Sequence, residues 1–139
     1  MSSGVTVSDA CLEAFQQLKL GKKYQYVIFK ISDDMKEIVV EKAESGQDYD
    51  AFIAALPADE PRYAVYDFQY EKGDEGIRNK ITFYTWTPDT AKIRQKMVYA
   101  SSKEGLRRKL VGIAVEVQGT DFSEVDYQTV LEKVSRSSA

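Results

Sequence analysis

Apolar residues recur along this chain in two rhythms that replace each other several times. Cys11 (or Leu12), Phe15 and Leu18 are spaced as one stripe of an α-helix that Ser8 can cap and that stops before Gly21. Residues 24–31 (YQYVIFKI) and 37–43 (EIVVEKA) are β-branched and aromatic, and the SDDMK between them supplies a hairpin turn. Asp48 can cap a short helix whose Tyr49, Phe52, Ile53 and Leu56 share a face and which Pro57 stops. Residues 62–70 (RYAVYDFQY) and 78–86 (RNKITFYTW), joined through a glycine-bearing turn, form the clearest hairpin and are expected near the middle of the sheet.

The next stretch, residues 85–110 (TWTPDTAKIRQKMVYASSKEGLRRKL), predicts a long helix. Pro88 ends the preceding strand, and Asp89 or Thr90 can accept a hydrogen bond from the first turn. Ile93, Met97 and Ala100 make one helical stripe, and Leu106 and Leu110 a second that points roughly 120° away, so a bend is expected near Ser101-Ser102. Met97 has two even readings at this point, core residue or exposed apolar contact. Gly112 closes the helix, residues 113–117 (IAVEV) alternate as a strand, and Asp126 caps a last helix buried through Tyr127, Val130, Leu131 and Val134. The order is helix, two strands, helix, two strands, long helix, strand, helix. That order predicts one mixed α+β (α/β) domain over residues 1–139, a mixed sheet of five or six strands between helices on both faces. Residues 1–7 are small and polar and are expected to be flexible.

Composition narrows the function. A chain of 139 residues, 43% apolar and 29% charged, can bury a full core in one domain. The one cysteine, Cys11, excludes an internal disulfide and reads as a core residue. No run reaches the ~18 apolar residues of a membrane span, and the start lacks a signal pattern, so a soluble intracellular protein is expected. The absence of histidine removes the commonest general base and nearly every zinc arrangement. Gly21-Lys22-Lys23 lacks the upstream glycine of a phosphate loop. The acidic pairs Asp33-Asp34, Asp59-Glu60 and Asp74-Glu75 sit among turn residues, where carboxylates are solvated. No catalytic residue, metal or cofactor is expected, and the inventory favours binding.

Charge says where. Residues 92–109 hold seven cations (Lys92, Arg94, Lys96, Lys103, Arg107, Arg108, Lys109) and one acid, Glu104. The rest of the chain then holds 12 basic and 21 acidic residues, a balance of −9 against +6. A solvated charged face is the ordinary reading of such a helix, but Glu104 alone leaves the cations without acidic neighbours along it. An acidic partner is indicated.

Several stretches, taken in order, carry a resemblance: Ser3-Gly4-Val5, LKLGKKY (residues 18–24), RYAVYDFQY, NKITFYTWTPDTA, KMVYASSK, LRRKLVGI and VQGTDFSEV (residues 117–125). Over its full length the chain resembles the ADF/cofilin family of actin-binding proteins, in the short form of its fungal and protist members. The resemblance implies a mixed sheet between pairs of helices. It implies binding to actin monomers and filaments with a preference for ADP-actin, a changed filament twist, severing and depolymerisation. It places monomer and filament contacts at Ser3, Gly4, Arg94, Lys96, Met97, Arg107 and Arg108, and filament-specific contacts at Arg78, Lys80, Glu132, Lys133 and Arg136. Phosphoinositide headgroups, as inhibitors, would meet Lys96, Arg107, Arg108 and Lys109, and Ser3 matches the position phosphorylated to switch the family off. A monomer in the cytoplasm and cytoskeleton, with a nuclear share, is implied. One departure is the missing histidine through which some members sense pH.

The rival readings use the same basic segment. A phosphoinositide- or lipid-surface module needs only its cations. An RNA-binding module would add the aromatic strands as stacking platforms, but RYAVYDFQY lacks the RNP1 glycine and the net charge of −3 opposes a polyanion. A carboxylate hydrolase is a remote third.

Overall fold

The computed structural model describes residues 4–136. Its strands are β1 (Thr6–Val7), β2 (Tyr26–Ile31), β3 (Glu37–Glu44), β4 (Arg62–Glu71), β5 (Ile77–Trp86) and β6 (Val115–Gly119). Its helices are α1 (Asp9–Lys19), α2 (Tyr49–Ala54), α3 (Ile93–Lys109) and α4 (Tyr127–Arg136). One mixed sheet has the order β1-β3-β2-β4-β5-β6, antiparallel except where β1 meets β3 and β5 meets β6. The expected mixed architecture is therefore present, with six strands among the described residues and the β4–β5 hairpin at and beside the centre.

Alternation along the central strands decides what each helix covers. Val27, Phe29, Tyr63, Val65 and Phe83 face α1 and α3, where Cys11, Phe15, Leu18, Tyr99, Leu106 and Leu110 meet them. Ile28, Ala64, Tyr66, Phe68, Tyr84 and Trp86 face α2 and α4, against Tyr49, Phe52, Val130 and Val134. Both faces of β4 are buried, so its aromatic rings are core. Under α2 the Tyr49 hydroxyl donates to the Val125 carbonyl at 2.6 Å and lies 3.1 Å from that of Tyr84, satisfying two buried phenols in an apolar setting.

Local signals of the short helices hold. Asp48 Oδ1 accepts from the Ala51 amide at 2.9 Å and Asp126 Oδ1 from the Thr129 amide at 2.8 Å, each satisfying a free donor of its helix start. Ser8 occupies the cap position of α1 without a side-chain cap bond, its Oγ lying 3.4 Å from Cys11 Sγ.

Two expectations need correction. Thr6 and Val7 are not loose: they pair in parallel with Glu37 and Ile38, the Ser8 amide donating to the Ile38 carbonyl at 3.0 Å. An edge backbone otherwise left open holds them, which no local pattern advertises. The last strand starts two residues late, at Val115, because parallel pairing sets Gly119 beside Trp86. A Cβ on Gly119 would stand 2.5 Å from Val125 Cγ1 and 3.3 Å from the Trp86 ring, so only glycine lets β6 close over the indole.

Candidate functional site

The long basic helix runs unbroken from Ile93 to Lys109, against the bend expected at Ser101-Ser102. The buried stripe is Tyr99, Ser102, Leu106 and then Leu110, spaced three, four and four residues apart, which a straight helix presents on one side. The Tyr99 hydroxyl accepts from the Ile31 amide at 2.9 Å, and its carbonyl accepts from the Tyr63 hydroxyl. Ser102 is small enough to lie flat on the sheet there. The entry also differs. Thr87 and Asp89 amides donate to Gly119 and Thr120 carbonyls, prolonging the β5–β6 pairing, so the helix begins after Lys92 and neither Asp89 nor Thr90 caps it.

Continuity of the helix turns the remaining residues outward. At about 100° per residue, Arg94, Met97, Ser101, Glu104 and Arg108 fall along one ridge opposite the buried stripe. Ile93 and Met97 are 75% and 66% exposed, which removes the core reading of Met97. Lys96, Lys103 and Arg107 lie on the flank towards β6. The Lys96 ammonium donates to the Asp89 carbonyl at 2.8 Å. Arg107 Nε donates to Glu116 Oε2 at 2.8 Å, and Lys103 Nζ lies 3.2 Å from Glu116 Oε1. Partial burial works to raise the Glu116 pKa, yet hydrogen bonds from Arg107 and Lys103 hold it below the usual glutamate range. Arg107, which the resemblance groups with Arg108 as a contact residue, is partly covered and paired, unlike Arg108. The acid that neutralises it comes from a different element, so the spacing of charges along the helix did not reveal it. Arg94, Arg108 and Lys109 are exposed and form no ion pair among the described residues. Gly4 is exposed in left-handed backbone (φ +86°) ahead of β1, whereas Ser3 lies outside the described residues.

The second group divides in the same way. Glu132, Lys133 and Arg136 are exposed on the outer face of α4, with Arg136 Nη2 3.8 Å from Glu132. Arg78 is exposed on the β4–β5 hairpin and pairs with Glu75. Lys80 is not at the surface: only 8% exposed, it lies over the Tyr70 ring and donates to the Val134 carbonyl at 3.2 Å. There its charge answers the negative end of α4, pinning the helix to the hairpin. Between them runs an open groove of about 470 Å³ lined by Gln69, Tyr70, Glu71, Ile77, Tyr127 and Leu131.

Comparison with known proteins decides the family. Residues 4–135 match the model described as cofilin/tropomyosin-type actin-binding protein. The chain is 62% identical over 137 residues to the cofilin of Mycosarcoma maydis, covering 99% of each, and 57% identical over 135 residues to that of Saccharomyces cerevisiae, covering 96% and 94%. This chain belongs to the ADF/cofilin family. The crystal structure of Streptomyces griseoflavus cofilin superposes with a TM-score of 0.91 at 59% identity, covering 96% of this chain and 99% of that one. Plasmodium berghei actin depolymerization factor 2 does so with a TM-score of 0.85 at 31% identity, over 96% and 99%. ADF/cofilin proteins bind actin and are not enzymes.

Membership also frames what the residues missed or misjudged. In this ADF/cofilin chain the aromatic strands offer no stacking platform, because Tyr63, Tyr66, Phe68 and Tyr70 are buried. The acidic pairs of the turns are all exposed. Sequence reasoning overlooked Ile93 and Ile77 as surface apolar residues and Glu116 as a partner of the basic helix. Reading α3 as one continuous helix was the signal that would have exposed Ile93.

Proposed function

We propose that the chain binds actin monomers and filaments, prefers ADP-actin, and changes filament twist, severing filaments and speeding subunit loss. The observation that carries this reading is the α3 ridge: two exposed apolar side chains, Ile93 and Met97, flanked by the unpaired guanidinium groups of Arg94 and Arg108. Exposed apolar residues between cations fit a cleft in an acidic protein, the apolar pair supplying buried area and the arginines bidentate carboxylate contacts. Ser3 and Gly4, Lys96 and Arg107 complete this monomer- and filament-binding surface. Arg78, Glu132, Lys133 and Arg136 make the contact with a neighbouring filament subunit, and Lys80 serves it by holding α4. A rigid domain bridging two subunits favours whichever filament twist fits both surfaces, and severing follows where decorated and bare segments meet.

Regulation follows the same electrostatics. A phosphate on Ser3 would add about −1.5 to −2 charges where an acidic partner approaches. Phosphoinositide headgroups would compete with actin for Lys96, Arg107, Arg108 and Lys109. The chain acts as a monomer in the cytoplasm and cytoskeleton, with a nuclear share. Co-sedimentation with ADP- and ATP-actin filaments, combined with imaging of labelled filaments, tests the reading. Binding with shortened filaments is the expected result, and filaments that neither bind nor break would overturn it.

A further inference from the structure

Glu116 stands on β6, outside α3, and reaches two cations of that helix with separate oxygens: Oε1 to Lys103 at 3.2 Å and Oε2 to Arg107 at 2.8 Å. Lys103 and Arg107 are one helical turn apart on the same flank, so a single carboxylate can span both. Their side chains are only 19% and 28% exposed, laid against β6 instead of projecting. A carboxylate is also what an acidic protein would present to them. Arg107 must give up Glu116, or share it, before it can pair outward at full strength, whereas Arg94 and Arg108 on the ridge have no such tie.

We propose that Glu116 is an internal counter-anion that sets how many α3 cations an acidic partner meets, a positioning residue that moderates affinity and salt sensitivity. The inference rests on the actin reading for the identity of the partner, but not for the competition itself. Removing the charge at this position frees Lys103 and Arg107 to swing out along the flank, adding two cations to the docking surface. A purely structural tether would predict the reverse, since loosening β6 from α3 would weaken the surface.

The test uses the full chain as wild type, Glu116→Gln and Asp50→Asn. Asp50 is exposed in the first turn of α2, on the opposite face of the sheet, so its variant has the same net charge without touching α3. In filament co-sedimentation across a salt series, Glu116→Gln is expected to bind roughly two- to fivefold more tightly than wild type at low salt, with a steeper salt dependence. Asp50→Asn should follow wild type. Glu116→Asp keeps the net charge but is too short to span both cations, and should fall between. Affinity of Glu116→Gln equal to or below that of Asp50→Asn would overturn the proposal. If wild type does not sediment with filaments, the actin reading fails on its own, and acylation of the Lys103 amine, followed by peptide mass spectrometry, decides the counter-anion claim. Faster labelling of Lys103 in Glu116→Gln than in Asp50→Asn supports it, and equal labelling overturns it.

Discussion

The two proposed docking surfaces are held with different firmness. The α3 ridge stands on a seventeen-residue helix anchored from beneath by Tyr99, Ser102, Leu106 and Leu110, with Tyr99 bonded to two other elements of the core. The hairpin and α4 surface rests on a ten-residue helix held by Val130, Val134 and the Lys80 ammonium, beside a hairpin whose residues 71–79 are all exposed. Its outer cations, Arg78 and Arg136, pair with acids only three and four residues away in the chain. Such short-range exposed pairs are worth little, about 0–1 kcal/mol, and are easily exchanged. The first surface is thus pre-organised and the second adjustable, a division that fits the proposed bridging of two filament subunits.

That contrast can be broken most severely at Lys80. Lys80→Glu would bury an acid against the carbonyl end of α4, and a loss of about 3 kcal/mol in chemical denaturation is expected. Lys80→Met, which keeps the stem over Tyr70, should cost about 1 kcal/mol. Equal and negligible effects would show that the ammonium does not pin the helix. Next in size, Arg94→Glu with Arg108→Glu should lower monomer and filament affinity at least about 100-fold while stability stays within about 0.5 kcal/mol, since both side chains are exposed. Unchanged sedimentation would remove the ridge from the interface. A smaller and more selective effect is expected from Arg78→Glu with Lys133→Glu, about five- to tenfold weaker filament binding with monomer binding spared. Parallel losses in both assays would mean that the surfaces do not act separately.

The smallest expected effect is that of pH. Every resolved shift moves away from neutrality: Glu41, Glu116 and Asp126 go down, while burial pushes the Cys11 thiol up and the Tyr66 phenol to about 12. With no histidine, stability should be flat between about pH 6 and 8. Carboxylates held low contribute stability above their unfolded range and lose it as pH falls through the depressed values, so the decline should set in at about pH 5, where the unfolded carboxylates begin to take up protons, and steepen below about pH 4. A marked slope near pH 7 in denaturation experiments would reveal a titrating group that these residues do not account for.

What was legible in the chain was what short range decides. The strands of both hairpins, the caps at Asp48 and Asp126, and the Cys11–Phe15–Leu18 face of α1 each depend on neighbours within a few residues, and each is found. The features that escaped depend on distant partners. Tyr99 is inward because Tyr63 and Ile31 meet it, Thr6–Val7 form a strand because β3 would otherwise leave an open edge, and Arg107 is quiet because Glu116 lies on a later strand. The same holds for the site. The basic segment was visible as composition, but which cations look outward follows from a straight helix and one remote acid. The resemblance to a family indicates a surface; the packing sorts its members into those that face solvent, those that are tied down and one, Lys80, that is buried against α4.

The hydroxymethyl side chain of Ser102 has a further consequence. It sits beneath the basic helix in reach of Tyr63, at a point where the helix comes down onto the sheet. A bulkier group at that point would jack the whole rod outward and tilt Met97 and Arg108 with it. A position that never touches a partner can therefore retune the contour offered to one, and variation there would change fit without altering a single exposed atom.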